Sequence, residues 1–509
     1  MADEKKEGIC YLVGAGPGDP GLMTLRGKEC IELADVVVYD YLSNPDFLQW
    51  ARPDAELIYA GKKSKNHAIP QGGINQLLVD RAKEGKIVTR LKGGDPLVFG
   101  RGGEEAGELV EAGIKFEFIP GISSTIAGPA YAGIPVTHRD HCSQLTIFTG
   151  HEDPTKAESS IDYKQIANAP GTKVMLMGVE RLPIIMKSLI EAGAAADTPI
   201  ALVRWATTGQ QRTITGTLET IADIAIEQHF KAPAVAVIGG VVNCRETLNW
   251  FEDRPLRGKR VVVTRTRKQS SKLSRMLREL GADVLEMPTI RIVPSDEKEH
   301  REFAQMVINA HTYEWLIFTS PNAVEYFFDT FYKIREDARE IGGCRIAAVG
   351  PGTKAKLAEY RMGVDLLPEI HVAEELAAKF ESDVSVENTT MLWVRAKDAR
   401  DVLSTRLIEA GAILDEGIAY QTVPETDDPT GAVKRFESEG ADIITFTSAS
   451  TVECFLDLGL EMPEGIQIAS IGPITSKAIL EEELELAIEA KTHDIPGLVA
   501  AVLELAARE

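Results

Sequence analysis

The chain has 509 residues, of which 44% are hydrophobic and 26% charged, and its formal net charge is −22. This composition excludes a disordered or fibrous chain, and an acidic balance without a basic block argues against nucleic acid or an anionic membrane as partner. No stretch approaches the roughly 20 apolar residues of a membrane span and the N-terminus lacks a signal-peptide core, so we expect a cytoplasmic protein of three or four folded units at roughly 150 residues each.

Short apolar strands alternate with helical patterns through the first half of the chain, which is typical of an α/β fold. Up to about residue 140, the predicted strands are 10–13, 36–39, 87–91 and 116–119, and the predicted helices are 24–34 and 104–112. A second set of apolar strands covers 145–149, 173–177, 199–204, 211–216 and 234–238. We place a subdomain boundary between Thr137 and Ser143, so that the two subdomains span about 1–140 and 141–250.

The second half of the chain contains an internal repeat. It follows a polar segment, 251–257, which we interpret as a linker, and it begins with an apolar strand at 261–264. VVVTR at 261–265 recurs as MLWVR at 391–395, FTS at 318–320 as FTS at 446–448, and AVGP at 348–351 as SIGP at 470–473. Each block combines a strand, a small polar turn and a helix, which predicts two similar α/β lobes with parallel sheets. Such a pair is also typical of hinge-cleft binding proteins, which remain an alternative at this point.

Two glycine-rich loops follow strands in the first half. GAGPGD at 14–19 raises the hypothesis of a dinucleotide site with Asp40 on the ribose. The spacing argues against it, because Asp19 stands where the third glycine is needed and prolines interrupt the turn. The segment 92–105, KGGDPLVFGRGGEE, carries five glycines together with Asp95 and Arg101. Glycines let a backbone approach a ligand closely, so we favour a functional loop over a simple turn.

Eight ordered segments resemble the uroporphyrinogen-III C-methyltransferases of the tetrapyrrole methylase family, over about residues 8–250. They are VGAGPGDP at 13–20, VYD at 38–40, GK at 61–62, the loop 92–105, PGISS at 120–124, AGIPVTHR at 132–139, TGH at 149–151 and RWAT at 204–207. The resemblance implies two α/β subdomains, with S-adenosyl-L-methionine bound between them and converted to S-adenosyl-L-homocysteine. It also implies a homodimer formed through this half.

The resemblance further implies roles for single residues. The implied cofactor contacts are Pro17, Gly93, Gly94, Asp95, Val98, Ser123, Ser124, Met177 and Ala206. Asp40 is implied as proton acceptor and Lys62 as proton donor, and a positioned base suits a reaction in which a pyrrole carbon attacks the methyl group while a proton leaves the macrocycle. For Asp40 the alternative is a turn or cap at a strand end.

The implied substrate carries eight carboxylates, so we expect arginines to bind it. The candidates are Arg101, Arg139, Arg204 and Arg212. Arg101 is also a second candidate base, and the alternative for each arginine is an ordinary surface ion pair. Tyr41 stands where the family usually has arginine, which removes one candidate contact.

Six ordered motifs in the second half resemble uroporphyrinogen-III synthase, over about residues 256–507. They are VTR at 263–265, FTSPNAV at 318–324, VGPGT at 349–353, AYQT at 419–422, FTS at 446–448 and IGPIT at 471–475. The resemblance implies a two-lobed fold from residue 258 to 509, in which lobe one is about 258–292 plus 423–509 and lobe two about 293–422. It implies closure of hydroxymethylbilane with inversion of the last pyrrole, which requires a folded substrate and no nucleophile or metal.

In this half, Tyr420 is the candidate acid for the leaving hydroxyl group. The candidates for substrate binding are Arg265, Ser320, Thr353, Ser448 and Thr475, since hydroxyls and the N–H groups at helix starts suit carboxylates. The alternatives are helix capping for the serines and threonines and a core position for Tyr420. We expect no metal site, because the six scattered cysteines include no C-x-x-C pair.

The sequence therefore predicts a bifunctional enzyme acting on small-molecule tetrapyrroles. One half makes uroporphyrinogen III and the other methylates it twice to precorrin-2, on the branch toward sirohaem or cobalamin. Two alternatives stay open. In one, the methylase half acts on a later corrin precursor; in the other, the second half is a non-catalytic ligand-binding module.

Overall fold

The computed structural model describes residues 7–61, 70–151, 161–265 and 267–508. Within these ranges the chain forms four five-stranded sheets. It divides into two compact units, one from the described residues of Met1–Met287 and Asp427–Glu509 and the other from Pro288–Thr426. None of the described helices is long and apolar enough to cross a membrane.

The first sheet is entirely parallel, with strand order β3-β2-β4-β1-β5. Its strands are β1 (Ile9–Gly14), β2 (Val36–Tyr39), β3 (Glu56–Tyr59), β4 (Ile87–Lys92) and β5 (Lys115–Ile119). The helices of this region are α1 (Leu25–Leu33), α2 (Gln71–Lys83), α3 (Gly102–Glu111) and α4 (Ser124–Tyr131). Because the strands are parallel, the loops that follow them meet at one edge of the sheet.

Successive residues of these strands enter cores on opposite faces of the sheet. On one face Leu12 and Val38 pack with α2 and α3, and on the other Val13 and Val37 pack with α1. Burial on both faces explains why β1 and β2 are nearly continuous apolar runs without alternation.

The second sheet is mixed, with strand order β6-β7-β10-β8-β9. Its strands are β6 (Leu145–Thr149), β7 (Thr172–Leu176), β8 (Pro199–Arg204), β9 (Arg212–Thr217) and β10 (Ala234–Ile238). The helices are α5 (Tyr163–Asn168), α6 (Leu182–Glu191), α7 (Ile221–Glu227) and α8 (Arg245–Leu248). Strands β6 and β7 are parallel, and the other pairings are antiparallel.

The rest of the chain forms two further sheets. It begins with β11 (Arg260–Val263), α9 (Arg267–Glu279) and β12 (Asp283–Glu286). It continues with β13 (Ile290–Pro294), α10 (Glu297–Ile308), β14 (Trp315–Phe318), α11 (Pro321–Ile334), β15 (Arg345–Ala348), α12 (Pro351–Glu359), α13 (Ala373–Asp383), β16 (Thr390–Ala396), α14 (Val402–Glu409) and β17 (Ile413–Pro424). It ends with α15 (Ala432–Glu439), β18 (Ile443–Phe446), α16 (Ala449–Asp457), β19 (Gln467–Ser470), α17 (Pro473–Glu481), β20 (Leu486–Glu489) and α18 (Ile495–Ala506).

The repeat seen in the sequence is a repeat of structure. The two sheets have the orders β12-β11-β18-β19-β20 and β13-β17-β16-β14-β15. The repeated blocks make β11 equivalent to β16, β18 to β14 and β19 to β15. Strands β12 and β17 lie next to β11 and β16, so four neighbouring strands have the same order in both sheets. The prediction of parallel sheets needs one correction, because β13 is antiparallel to β17. These two strands carry the chain into and out of the second compact unit, so they run in opposite directions.

A network of buried charges lies beneath the end of β4. The fully buried Glu105 accepts hydrogen bonds through Oε1 from Lys92 Nζ at 2.8 Å and from Arg90 Nε at 3.3 Å. Arg90 Nη2 also donates to Asp40 Oδ2 at 3.2 Å. Burial, reinforced by the nearby charge of Arg90, lowers the pKa of Lys92. Two cations and two carboxylates thus connect β4, α3 and the residue that follows β2; Arg90, Lys92 and Glu105 are buried, and Asp40 is partly exposed.

Replacing Glu105 with Leu leaves Arg90 and Lys92 without their shared carboxylate. We expect the local unfolding free energy to fall by about 3–5 kcal/mol, the usual cost of breaking a buried ion pair. Native-state hydrogen exchange of the β4 and α3 amides measures this change. The control is Glu104→Gln, which removes only an exposed ion pair with Arg101 worth about 1 kcal/mol or less. Equal exchange rates in both variants would contradict the role given to Glu105.

Candidate active sites

Three loops at the carboxyl edge of the first sheet meet backbone against backbone. Gly16 and Gly94 exchange hydrogen bonds, with N···O distances of 3.1 and 2.7 Å. A Cβ on Gly121 would lie 2.3 Å from the carbonyl oxygen of Gly94, and one on Gly14 would lie 2.5 Å from Gly121 Cα. No side chain fits at Gly14 or Gly121, so these glycines let the loops after β1, β4 and β5 touch.

The loop after β4 brings several predicted cofactor contacts together. Gly94 has φ +70°, and a Cβ there would lie 3.8 Å from both Ser123 Cα and Ser124 N. Ser123 is the N-cap of α4 and Ser124 its first residue. Asp95 accepts hydrogen bonds from Leu97 N at 2.8 Å and from Gly121 N at 3.1 Å. Both carboxylate oxygens of Asp95 therefore hold backbone, which gives this residue a part in shaping the loops.

The remaining predicted cofactor contacts lie on the same loops or on loops of the second sheet. Gly93 and Val98 belong to the loop after β4, and a Cβ on Gly93 would lie 2.6 Å from Leu42 Cβ. The loop after β1, which contains Pro17, meets the loop after β8: Asp19 N donates to Thr207 Oγ1 at 3.0 Å. Ala206 lies in that contact, and Met177 directly follows β7. A loop of the first sheet thus contacts a loop of the second sheet.

Backbone strain is concentrated on these loops. Five non-glycine residues here have φ between +45° and +71°: Phe99, Arg101, Met177, Trp205 and Thr207. Such conformations cost on the order of 1 kcal/mol or more each and occur preferentially at functional sites. Their clustering supports a ligand-binding role for the loop 92–105 and for the loops after β7 and β8.

Exposed apolar side chains occupy the same loops. Each of the following is at least 37% exposed: Tyr41, Leu42, Leu97, Phe99, Ile122 and Met177. The ring of Tyr41 lies edge-on to that of Trp205, with centroids 5.6 Å apart. Exposed apolar groups beside polar backbone are typical of a site for a large organic ligand.

The structure holds Asp40 at the end of β2. Its Oδ1 accepts a hydrogen bond from Leu42 N at 3.1 Å, and its Oδ2 pairs with Arg90. The side chain remains 24% exposed, so a fixed carboxylate faces solvent, as a proton acceptor requires. Lys62 lies outside the described residues. Arg101 is exposed and pairs with Glu104 at 2.6 Å, so a role as base or clamp requires it to leave that partner.

Two of the predicted substrate arginines are neighbours. Arg204 on β8 and Arg212 on β9 lie directly opposite each other in the sheet. Arg212 donates to Gln228 Oε1 at 2.7 Å. The Nε of Arg204 is buried and has no hydrogen-bond partner among the described residues. Arg139 lies in the exposed turn between α4 and β6.

In the second compact unit, Tyr420 and Ser320 are in contact. The Tyr420 hydroxyl lies 2.8 Å from Ser320 Oγ, and its ring stacks on Tyr326 with centroids 5.5 Å apart. Burial raises the pKa of Tyr420, so the hydroxyl stays protonated at neutral pH. Ser320 also caps α11, and Thr353 is the third residue of α12, with a buried side chain.

The other three synthase candidates follow adjacent strands of the third sheet. Arg265 lies after β11, Ser448 after β18 and Thr475 after β19. Ser448 caps α16, and Thr475 is buried in the first turn of α17. Burial lowers the pKa of Arg265. One sheet edge thus gathers a cation and two helix starts, which suits carboxylates.

Three residues that organise the first site were not predicted: Arg90, Glu105 and Trp205. Arg90 did leave a signal, since a charged residue within the apolar strand IVTRLK is unusual unless it is paired. Glu105 gave none, because an acidic residue in the first turn of a helix is ordinarily exposed. Within the part of the chain that the structure describes, no group of three or more His, Cys, Asp or Glu could hold a metal.

Replacing Gly121 with Ala tests the contact between the loops. The added Cβ would lie 2.3 Å from the Gly94 carbonyl oxygen, so the loops must separate. We expect faster hydrogen exchange of the Gly16 and Gly94 amides and a lower melting temperature. The control is Gly103→Ala in α3, where a Cβ meets nothing within 4 Å and alanine favours the helix. A Gly121→Ala protein as stable as this control would show that the loops are not in contact.

Sequence profiles of two families match successive parts of the chain: Tetrapyrrole (Corrin/Porphyrin) Methylases at residues 10–222 and Uroporphyrinogen-III synthase HemD at 271–500. A porphyrin biosynthesis protein HemD of Ruminiclostridium josui is 38% identical and aligns over 98% of each chain. An S-adenosyl-L-methionine-dependent uroporphyrinogen III methyltransferase of Methanosarcina barkeri is 52% identical over 47% of this chain and 94% of that protein.

A solved structure of uroporphyrin-III C-methyl transferase from Thermus thermophilus, complexed with S-adenyl homocysteine, is also similar. It is 38% identical, covers 46% of this chain and 98% of its own, and has a TM-score of 0.40. The similarity to the Ruminiclostridium protein extends along almost the whole chain, and the two profiles match separate segments of it, 10–222 and 271–500. The chain therefore belongs to the family in which a tetrapyrrole methylase domain is fused to a uroporphyrinogen-III synthase domain.

Proposed function

We propose that this chain is a bifunctional enzyme of tetrapyrrole biosynthesis. The synthase half closes hydroxymethylbilane to uroporphyrinogen III, and the methyltransferase half adds two methyl groups from S-adenosyl-L-methionine to give precorrin-2. The observation that carries the proposal is the presence of both family matches on one chain, because the product of one reaction is the substrate of the next.

The loops of the methyltransferase half fit S-adenosyl-L-methionine. The cofactor supplies a methyl group on a sulfonium, which is a cation and needs no phosphate cradle. Gly94 lies beside the start of α4 without a side chain, so it leaves room for a ligand against the backbone. The exposed rings of Tyr41 and Phe99 offer apolar surface for the flat parts of cofactor and macrocycle.

Removal of a proton is the step that the residues of this half perform. When a pyrrole carbon attacks the methyl group, the C–S bond of the cofactor breaks and the positive charge left on the substrate is neutralised by loss of a proton from elsewhere in the macrocycle, for which Asp40 is the proposed acceptor. Arg90 and the Leu42 amide hold its carboxylate, so little reorientation is needed during the reaction. Lys62 is the proposed donor, and Arg204 and Arg212 are proposed to bind substrate carboxylates, with Arg101 and Arg139 as further candidates.

The synthase half acts by protonation and by control of substrate shape. Tyr420 is the proposed acid that lets the hydroxyl group leave as water, with Ser320 beside it to orient the proton. Arg265, Thr353, Ser448 and Thr475 are proposed to hold substrate carboxylates, by charge or by N–H groups at helix starts. A cytoplasmic location and a homodimer formed through the methyltransferase half complete the proposal.

The deciding experiment supplies purified protein with hydroxymethylbilane. Without S-adenosyl-L-methionine, we expect the type III isomer to accumulate, and with it we expect the absorption of precorrin-2 or its oxidised form. Isomer analysis by chromatography separates enzymatic closure from spontaneous closure, which gives the uninverted ring. Methylation of a later corrin precursor in preference to uroporphyrinogen III would overturn the assignment of the first half, and absence of type III isomer that of the second.

Replacing Tyr420 with Phe removes the proposed acid but keeps the ring. We expect the rate of type III formation to fall about tenfold or more, while methylation of added uroporphyrinogen III is unchanged. The control is Tyr313→Phe in the same unit, whose hydroxyl bonds Asp415 at 2.6 Å on an exposed surface. An unaltered rate and isomer ratio in Tyr420→Phe would remove this tyrosine from the mechanism.

A further inference from the structure

Within the first compact unit, the segment after β2 is bound to the synthase sheet. Asp46 follows Ser43 by three residues and lies in the segment after β2. Its Oδ2 pairs with Arg278 Nη2 of α9 at 2.6 Å. Arg278 also pairs with Glu286 of β12 at 3.0 Å. Burial raises the pKa of Asp46 and Arg278 opposes that rise, so its charge depends on this partner. A partly buried ion pair of this kind fixes position more firmly than a surface pair.

The loop after β8 is bound to the same sheet by a second contact. Gln210 Nε2 donates to Asp283 Oδ2 at 2.8 Å. A Cβ on Gly209 would lie 2.1 Å from Asp283 N, so the two backbones are in direct contact. Arg260 Nε donates to the same oxygen, Asp283 Oδ2, at 2.8 Å. Asp283 begins β12, at the sheet edge opposite to the one that carries the synthase candidates.

Both contacts continue into the methyltransferase site. From the first, Asp46 N donates to Asn44 Oδ1 at 2.9 Å, and Asn44 Nδ2 donates to the Gly18 carbonyl oxygen at 2.7 Å. From the second, Gln211 Oε1 accepts from Thr207 N at 2.8 Å. Thr207 in turn holds Asp19 N, so the two paths converge on the loop after β1.

The segment that joins the two halves is packed and bonded. Phe251 and Leu256 are buried, and Leu256 lies in the core of the third sheet. Glu252 is buried and accepts hydrogen bonds from Gln211 Nε2 at 2.9 Å and Arg245 Nη2 at 2.7 Å. The predicted linker is therefore held in place by packing and hydrogen bonds. Through Glu252 it also makes a third contact with the loop after β8.

We propose that lobe one of the synthase half helps to form the methyltransferase site. Arg278 and Asp283 are positioning residues for the loops of that site. Arg278 holds the segment 40–46, which carries Asp40, and Asp283 holds the loop 205–211, which carries Ala206. Loss of these two contacts shifts the segment 40–46 and the loop 205–211 relative to the loop after β1. Arg278 and Asp283 act in this way without contacting cofactor or substrate themselves. This inference rests on the proposed methyltransferase activity.

Gln210→Glu in the full chain is the sharpest test, because it places a carboxylate against that of Asp283. We expect about three- to tenfold weaker binding of S-adenosyl-L-homocysteine by calorimetry, and a similar rise in KM for uroporphyrinogen III. Arg278→Met, which breaks the other contact, is expected to act in the same direction. In Gln210→Glu the synthase rate, measured on the same sample, is expected to stay at the wild-type value because Asp283 lies at the opposite sheet edge.

The control is Gln76→Glu, which makes the same charge change beside Asp80 on the exposed face of α2. It is expected to leave ligand affinity and both activities unchanged. Wild-type affinity and KM in Gln210→Glu and Arg278→Met would overturn the inference, as would equal loss of both activities with a lower melting temperature, which indicates unfolding. A wild-type protein that neither binds S-adenosyl-L-homocysteine nor methylates uroporphyrinogen III instead refutes the proposed function.

Discussion

Close contact between backbones at one edge of the first sheet is the constraint on which the methyltransferase site depends. The loops after β1, β4 and β5 approach so closely that Gly14 and Gly121 leave no room for a side chain. Asp95 reinforces the contact by accepting from the amides of two loops. Helix α4 begins beside Gly94, so the residues proposed to bind the cofactor come together from distant parts of the sequence.

A network of buried charges at the carboxyl edge of the first sheet holds the Asp40 carboxylate in place. The chain has a net charge of −22, yet two cations, Arg90 and Lys92, are buried inside the fold. Glu105 balances part of that charge, and Asp40 is held by Arg90 at the point where the network reaches solvent. An acidic protein can in this way present both a fixed carboxylate and arginines to a polycarboxylate ligand.

Much of the fold was accessible from the sequence because each element depends on local patterns. The strands at 36–39, 145–149 and 234–238 begin and end where predicted, since β-branched runs end at turns there. Strand β3 was missed because its four residues, ELIY, carry too little periodicity. The internal repeat indicated two related lobes, but the antiparallel β13 follows from the path of the chain, which no local pattern records.

The two families, the alternation of strands and helices and the motifs that carry the candidate residues could all be recognised from the sequence. The contacts that these residues make could be seen only in the folded chain. It shows Asp95 holding backbone amides, Arg101 paired with Glu104, and Thr353 buried in a first turn. It also joins Asp46 to Arg278 across 232 positions of sequence. The physical reason is that hydrogen bonds and ion pairs act over a few ångströms in space, whereas motifs report only on neighbours along the chain.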